Sequence, residues 1–384
     1  MIKKLFIHSL FASILLSGCG QEGNNAVSSN EIAIEQIRQQ FAPDKRVSIF
    51  NVTFDHGILR GETNLPEAKK ALVDLLSDAI RGDSLLILKP AFALVNVSVC
   101  NIRSQPKHSA ELATQSLMGT VLKTYKTNGT WQLVQTPDGY LGWLDQGALV
   151  ETAPDVLSRW QLAKKVVVKK SFDFIHADQN GSILSDVVEG NILESGDLVK
   201  DQRQVKLPDG RQGFITDSSI TPYEDFITLK EPLLDNILQT AQHMMGRPYL
   251  WGGTSGKGMD CSGFTKTVYY LNALELPRDA SQQVNVGMEV DTDTTLRNLS
   301  VGDFLFFGNK KTQSQKEKIT HVAMYLGDGK IIHASDRIQV QSLKRGDPDF
   351  TEKRLLTLVK AKRMLEHIGE NGVKKLEEHP LYAY

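Results

Sequence analysis

The chain has 384 residues, 41% hydrophobic and 23% charged. That is room for two to three domains at ~150 residues each, and it is too apolar a composition for a disordered protein. Lys plus Arg number 44 against 45 Asp plus Glu, a net charge of −1, which argues against a dedicated nucleic-acid binder with its basic excess. The three cysteines, Cys19, Cys100 and Cys261, are odd in number and scattered. They argue against a disulfide framework, and no CxxC or Cys/His spacing points to zinc. No metal or other cofactor is expected.

The N-terminus reads as a targeting segment. Lys3 and Lys4 precede a mostly apolar run, Leu5 to Leu16, that is short for a membrane span. Leu16-Ser17-Gly18-Cys19 then resembles the bacterial lipobox, in which cleavage leaves the Cys as a lipid-bearing first residue. Residues 1–19 are expected to be a lipoprotein signal peptide, with Cys19 as the lipidated residue. The acyl chains would anchor the protein to a membrane, so an extracytoplasmic place in the cell envelope is expected. Gln21 to Asn30 is small and polar and suits a tether.

Residues 20–90 read as this tether followed by an α/β elaboration without a catalytic motif. Residues 47–54 and 58–63 are strand-like. A helix follows, with Asn64 as a possible cap, Pro66 in the first turn and Gly82 as a stop. Ala68, Leu72, Leu75, Leu76 and Ala79 trace its apolar face. Residues 91–152 change to short β-rich runs between turn signals. Trp131-Gln132-Leu133-Val134, then Asp138-Gly139, then Tyr140-Leu141-Gly142-Trp143, reads as a hairpin. It also resembles the last strands of bacterial SH3-like barrels. Residues 160–223 repeat the plan: Val205 to Ile215 aligns with Val134 to Leu144, and Phe214 stands where Trp143 stood. Glu151 to Arg159 reads as a connector and Glu224 to Glu231 as a linker. From 232 to 365 helices come first and strands after, an α+β order. Residues 366–384 read as a polar tail.

The chemistry concentrates around Met259-Asp260-Cys261-Ser262-Gly263-Phe264. Phe264, Val268 and Leu271 lie on one helix face, so Cys261 falls in the first turn with Asp260 as cap. A helix N-terminus favours thiolate over thiol and offers N–H groups to an oxyanion. Cys100, within a β-rich run, reads as a small buried hydrophobe. His321 and His333 sit on the two arms of a hairpin around Asp328-Gly329. One can take the thiol proton while the other orients it. A strict two-residue turn would pair Met324 with His333 and put the histidines on opposite faces. One extra residue in the loop, or one bulge, between Leu326 and Ile331 would instead set His333 opposite Ala323, on the face of His321, and one of the two is expected.

Tyr249 to Ser335 resembles the NlpC superfamily of papain-like cell-wall cysteine peptidases. The matching residues are Asp260-Cys261-Ser262-Gly263-Phe264, Pro277-Arg278-Asp279, Gly302-Asp303, His321-Val322 with Gly327, and Ile332-His333-Ala334. The resemblance implies two SH3-like barrels followed by an α+β papain-like catalytic domain. It also implies Cys261 as nucleophile, His321 as general base and His333 as the group that orients it. The domain order resembles the γ-D-glutamyl-L-diamino-acid endopeptidases, in which the first SH3-like domain closes one end of the cleft. By that likeness Tyr140, Tyr249, Asp260, Ser262 and Asp279 would bind the substrate, a peptidoglycan stem peptide, L-Ala-γ-D-Glu-diamino acid, with a free L-Ala amine. Gln105 falls near where an acidic amine-binding residue is expected. A monomer is expected, with no nucleic-acid partner. The alternative is a general peptidoglycan hydrolase or amidase acting on intact wall.

Overall fold

The computed structural model describes residues 29–383 except Asn180 and Pro232; Cys19 and the expected signal peptide lie outside the described residues. A helix, Ser29–Phe41, packs on strands Phe50–Asp55, Ile58–Thr63 and Gly82–Ile87, with helix Pro66–Leu75 between the last two. The first two strands are antiparallel and the last two parallel. Parallel pairing needs a crossover, and Pro66–Leu75 provides it. Ile34, Ile37, Leu59, Ala68, Leu72 and Leu85 form the core.

Three local expectations fail here, the first being the extent of the apolar face of helix Pro66–Leu75: Leu75 is exposed, and Leu76 and Ala79 lie past the helix end. Leu65, not Asn64, holds the N-cap position, and it makes no side-chain cap bond. Asn64 is drawn into tertiary contacts: it accepts from the Ile49 N–H at 2.9 Å and donates to the Tyr125 hydroxyl at 3.2 Å. Gly82 starts the third strand instead of stopping the helix, and its N–H bonds to the Gly57 carbonyl at 3.2 Å.

Two seven-stranded sheets follow. The first comprises Ala91–Val95, Val99–Arg103, Leu112–Leu117, Val121–Asn128, Trp131–Gln135, Leu141–Asp145 and Leu149–Thr152. The second comprises Lys165–Val168, Phe172–His176, Ile183–Val188, Ile192–Val199, Gln202–Lys206, Gln212–Thr216 and Ile220–Pro222. In both, the order across the sheet is seventh, first, fourth, fifth, sixth, second, third. The hairpin of Trp131–Gln135 with Leu141–Asp145 recurs 71 positions later with the same register, Phe214 pairing as Trp143 does. The connectors are folded, because each carries apolar residues at helical spacing. Pro154–Leu162 is a helix burying Leu157 and Trp160, and Tyr223–Ile227 one burying Tyr223, Phe226 and Ile227.

The C-terminal unit, expected to be catalytic, packs helix Cys261–Tyr270 on a six-stranded antiparallel sheet. The sheet runs Met288–Val290, Leu358–Arg363, Phe304–Asn309, Lys318–Gly327, Lys330–Ser335, Arg337–Ser342. Phe264 and Val268 share one core with Phe304, Phe306, Val322, Met324 and Ile332. Fully burying one such Phe is worth ~1.5–3 kcal/mol. The polar tail is not free: Lys374–Lys375 pairs with Leu274–Glu275, and Val373, Leu376 and Tyr382 are buried. Among the described residues no helix is long and apolar enough to cross a membrane.

Both barrels dock on this unit. The Gln115 side-chain oxygen accepts from the Thr254 N–H and the Ser255 hydroxyl, each at 3.0 Å. Lys257 donates to Ser98 at 2.9 Å and to Asp186 at 2.6 Å. Arg247 pairs with Glu189 and donates to Ser171 at 2.8 Å.

Candidate active site

Cys261 is the first residue of its helix, and Asp260 caps it, accepting from the Gly263 N–H at 2.7 Å. The thiol lies against the sheet, where the backbone N–H of Val322 bonds to the sulfur. His321 precedes Val322 on that strand. The turn Asp328-Gly329 joins Gly327 to Lys330, and the ladder slips between Tyr325 and Gly327, leaving Leu326 as a bulge. Met324 faces Ile332, and continuing that register sets His333 opposite Ala323. The two imidazoles therefore meet on one face, with His321 Nε2 2.7 Å from His333 Nδ1 and the rings nearly perpendicular at 86°.

The next partner is Gln341, which the sequence did not single out. Its Oε1 lies 2.9 Å from His333 Nε2, so that nitrogen carries the hydrogen. In neutral His333 the Nδ1 is then the acceptor, and His321 donates to it from Nε2. The lone pair of His321 is left on Nδ1. This chain of Gln341, His333 and His321 selects the tautomer of His321 whose acceptor nitrogen is Nδ1, the one not bonded to His333.

Burial sets the charge states. It pushes the Cys261 thiol up to about 11, with the Asp260 carboxylate adding to the rise; the Val322 and Ser262 N–H groups and Arg278 pull the other way. Burial, then the Arg354 guanidinium, holds His321 well below the ordinary range, and the same two causes lower His333 to about 4. The resting pair is thus thiol and neutral imidazole. The helix N-terminus favours a thiolate; burial of the sulfur works in the opposite direction. Arg354, on the short helix Glu352–Leu356, stacks 5.7 Å from the centre of the Phe307 ring, which lies 5.8 Å from the His321 ring. Nothing in its local sequence marks it.

The expected binding residues fall into two groups. Tyr249 stands beside Cys261, and burial with the nearby thiol raises its phenol to about 12. Asp260 and Ser262 are buried against Arg278, whose side chain is 1% exposed. Arg278 donates to Asp260 Oδ2 at 2.6 Å, to Asp260 Oδ1 and Ser262 Oγ at 3.1 Å, and to Thr114 of the first barrel at 3.1 Å. The Gly252 N–H takes Asp260 Oδ2 as well, at 2.9 Å. Asp260 is therefore a hub of internal bonds. Arg278 lies inside the Pro277-Arg278-Asp279 motif, but only the fold brings it to Asp260. The second group lies at the barrel boundary, where the Tyr140 hydroxyl donates to Asp279 Oδ2 at 3.0 Å. Gln105, in the same barrel as Tyr140, is exposed. Trp251 bridges the domains at the rim, donating to Glu111 at 2.7 Å.

Residues 246–357 match the NlpC/P60 family, and residues 102–149 match the bacterial dipeptidyl-peptidase SH3 domain. A γ-D-glutamyl-L-lysine dipeptidyl-peptidase of Bacillus cereus is 31% identical over 240 residues, 58% of this chain and 67% of that one. Its Bacillus subtilis namesake is 30% identical over 234 residues, 58% of this chain and 72% of that one. The chain belongs to the NlpC/P60 family. A crystal structure of an NlpC/P60 family protein from Bacillus cereus shares the fold, with a TM-score of 0.61 at 24% identity over 72% of this chain and 100% of that one. As a member of the family carrying this thiol and imidazole, the protein is a cysteine peptidase, a hydrolase of the peptidoglycan-related endopeptidase group.

Proposed function

We propose that this NlpC/P60 peptidase cleaves the bond between γ-D-Glu and the diamino acid of peptidoglycan stem peptides with a free N-terminal L-Ala. The observation that carries the reading is the meeting of Tyr140, from the first barrel, with Asp279, from the catalytic unit, at 3.0 Å. A hydroxyl and a carboxylate at the closed end suit an ammonium group. Two relatives are named for γ-D-glutamyl-L-lysine, which supports the choice of bond.

In the reaction, His321 Nδ1 takes the Cys261 proton as the sulfur attacks the γ-carbonyl carbon of D-Glu. The helix N-terminus favours the oxyanion that forms. The C–N bond breaks, and His321 returns the proton to the leaving amine of the diamino acid. Water then attacks the thioester, giving a proton to His321, and the dipeptide leaves as the sulfur regains its proton. Tyr249, Asp260 and Ser262 shape the cleft around the sulfur, Asp260 and Ser262 through Arg278.

Turnover of L-Ala-γ-D-Glu-L-Lys and of its N-acetylated form, followed by mass spectrometry, tests the reading. Preference for the free amine that disappears in Asp279→Asn supports it. Equal cleavage of both forms and of cross-linked wall would favour a general wall hydrolase. For location, we propose anchoring through a lipidated Cys19. Cys19→Ser should move the protein from the membrane to the soluble fraction.

A further inference from the structure

The N-terminal unit also reaches Asp279, the carboxylate assigned above to the substrate amine. Between the first helix and the first strand of the N-terminal unit, Asp44 and Arg46 project onto the short helix Ala280–Gln283, which Asp279 precedes as N-cap. Arg46 Nη1 donates to Asp279 Oδ2 at 2.7 Å and to Ser281 Oγ at 2.8 Å. Its Nε and Nη2 are held by Asp44 at 2.8 and 2.7 Å. Asp44 also accepts from Gln282 at 2.8 Å, and the Arg46 carbonyl accepts from the Leu141 N–H at 2.7 Å. The guanidinium is thus fixed from its own loop and from the catalytic unit, and the Arg46 backbone is tied to the first barrel.

This cation sits on the same carboxylate oxygen that receives the Tyr140 hydroxyl. Asp279 and Arg46 are both partly buried, where like charges a few ångströms apart interact more strongly than in water. An arriving ammonium meets a carboxylate already paired and a positive charge beside it. Asp44 restores one negative charge to the group, so the site is not closed to cations but is weakened for them. We infer that Arg46 is a specificity-determining residue: its guanidinium competes with the substrate ammonium for Asp279, so the N-terminal unit sets how strongly free-amine peptides are preferred over N-acylated ones. This rests on the reading of Tyr140 and Asp279 as the amine site.

The test uses the full-length chain with L-Ala-γ-D-Glu-L-Lys and its N-acetyl form. Arg46→Gln should lower KM for the free-amine peptide several-fold, with kcat and the N-acetyl kinetics little changed. Asp44→Asn should raise KM for the free-amine peptide, because it removes an anion and leaves the cation. Arg46→Lys, which keeps the charge but loses the fork of donors, should fall between wild type and Arg46→Gln. A merely structural role for the loop would move both neutral variants in the same direction, and that result would overturn the inference. So would an unchanged preference in Arg46→Gln. Asp279→Asn separates the two claims. If it abolishes the preference while Arg46→Gln does not change it, the amine site stands and the role of Arg46 falls. If Asp279→Asn leaves the preference intact, the amine-site reading itself falls.

Discussion

Replacing Gln341 with Leu removes the acceptor of the His333 Nε2 hydrogen, now 2.9 Å away. His333 is fully buried, so water cannot take over the bond. The imidazole can then shift its hydrogen to Nδ1, which faces His321 Nε2 at 2.7 Å. His321 would have to accept there and carry its own hydrogen on Nδ1, the nitrogen needed as base. Losing one buried hydrogen-bond partner costs ~1–3 kcal/mol. If that bias is what favours the reactive tautomer, kcat/KM falls ~5- to ~150-fold. The loss should lie in kcat, since Gln341 is two partners removed from the sulfur. Steady-state kinetics on the tripeptide measures it, with Gln341→Glu, which keeps an acceptor, as the retained-activity control. Wild-type kcat in Gln341→Leu would refute the relay and leave His333 oriented by packing alone.

Cys261→Ala should abolish hydrolysis with the fold intact by circular dichroism, whereas Cys100→Ala, a buried change inside the first barrel, should leave kcat near wild type. The acid limb of kcat/KM should fall well below pH 6.5, because His321 must be neutral to accept the proton and burial and Arg354 keep it so; an acid limb centred at or above 6.5 would contradict this. Stability should fall over the same range. Below 6.5 the unfolded chain binds protons that the folded histidines refuse, and for His333, lowered from 6.5 to about 4, this removes ~3 kcal/mol by the time pH drops to 4. Urea unfolding at pH 7 and pH 5 would detect the onset. Arg278→Met should destabilise by ~3–5 kcal/mol, since it leaves the Asp260 carboxylate buried without its partner; denaturant midpoints would show it.

Much of the architecture is local and therefore readable. The barrels announce themselves through Asp138-Gly139 and Asp209-Gly210 turns between β-rich runs, and the 71-residue repeat is a property of the string as much as of the fold. Cys261 and Asp260 are equally local, because a cap and an apolar face need only a few neighbouring residues. The bulge at Leu326 follows from alternation along a hairpin and the presence of Gly327 and Gly329, both at positive φ. Other features depend on contacts that no spacing encodes. Arg278 reaches Asp260 across 18 residues, Gln341 reaches His333 across a strand pair, and Arg46 reaches Asp279 across 233. Asn64 looked like a cap because propensity is local, yet Ile49 and Tyr125 compete for its side chain. The charge state of Cys261 belongs to the same class. Its sequence supplies the helix N-terminus, but the packing of helix on sheet buries the sulfur, and burial pushes the thiol up to about 11.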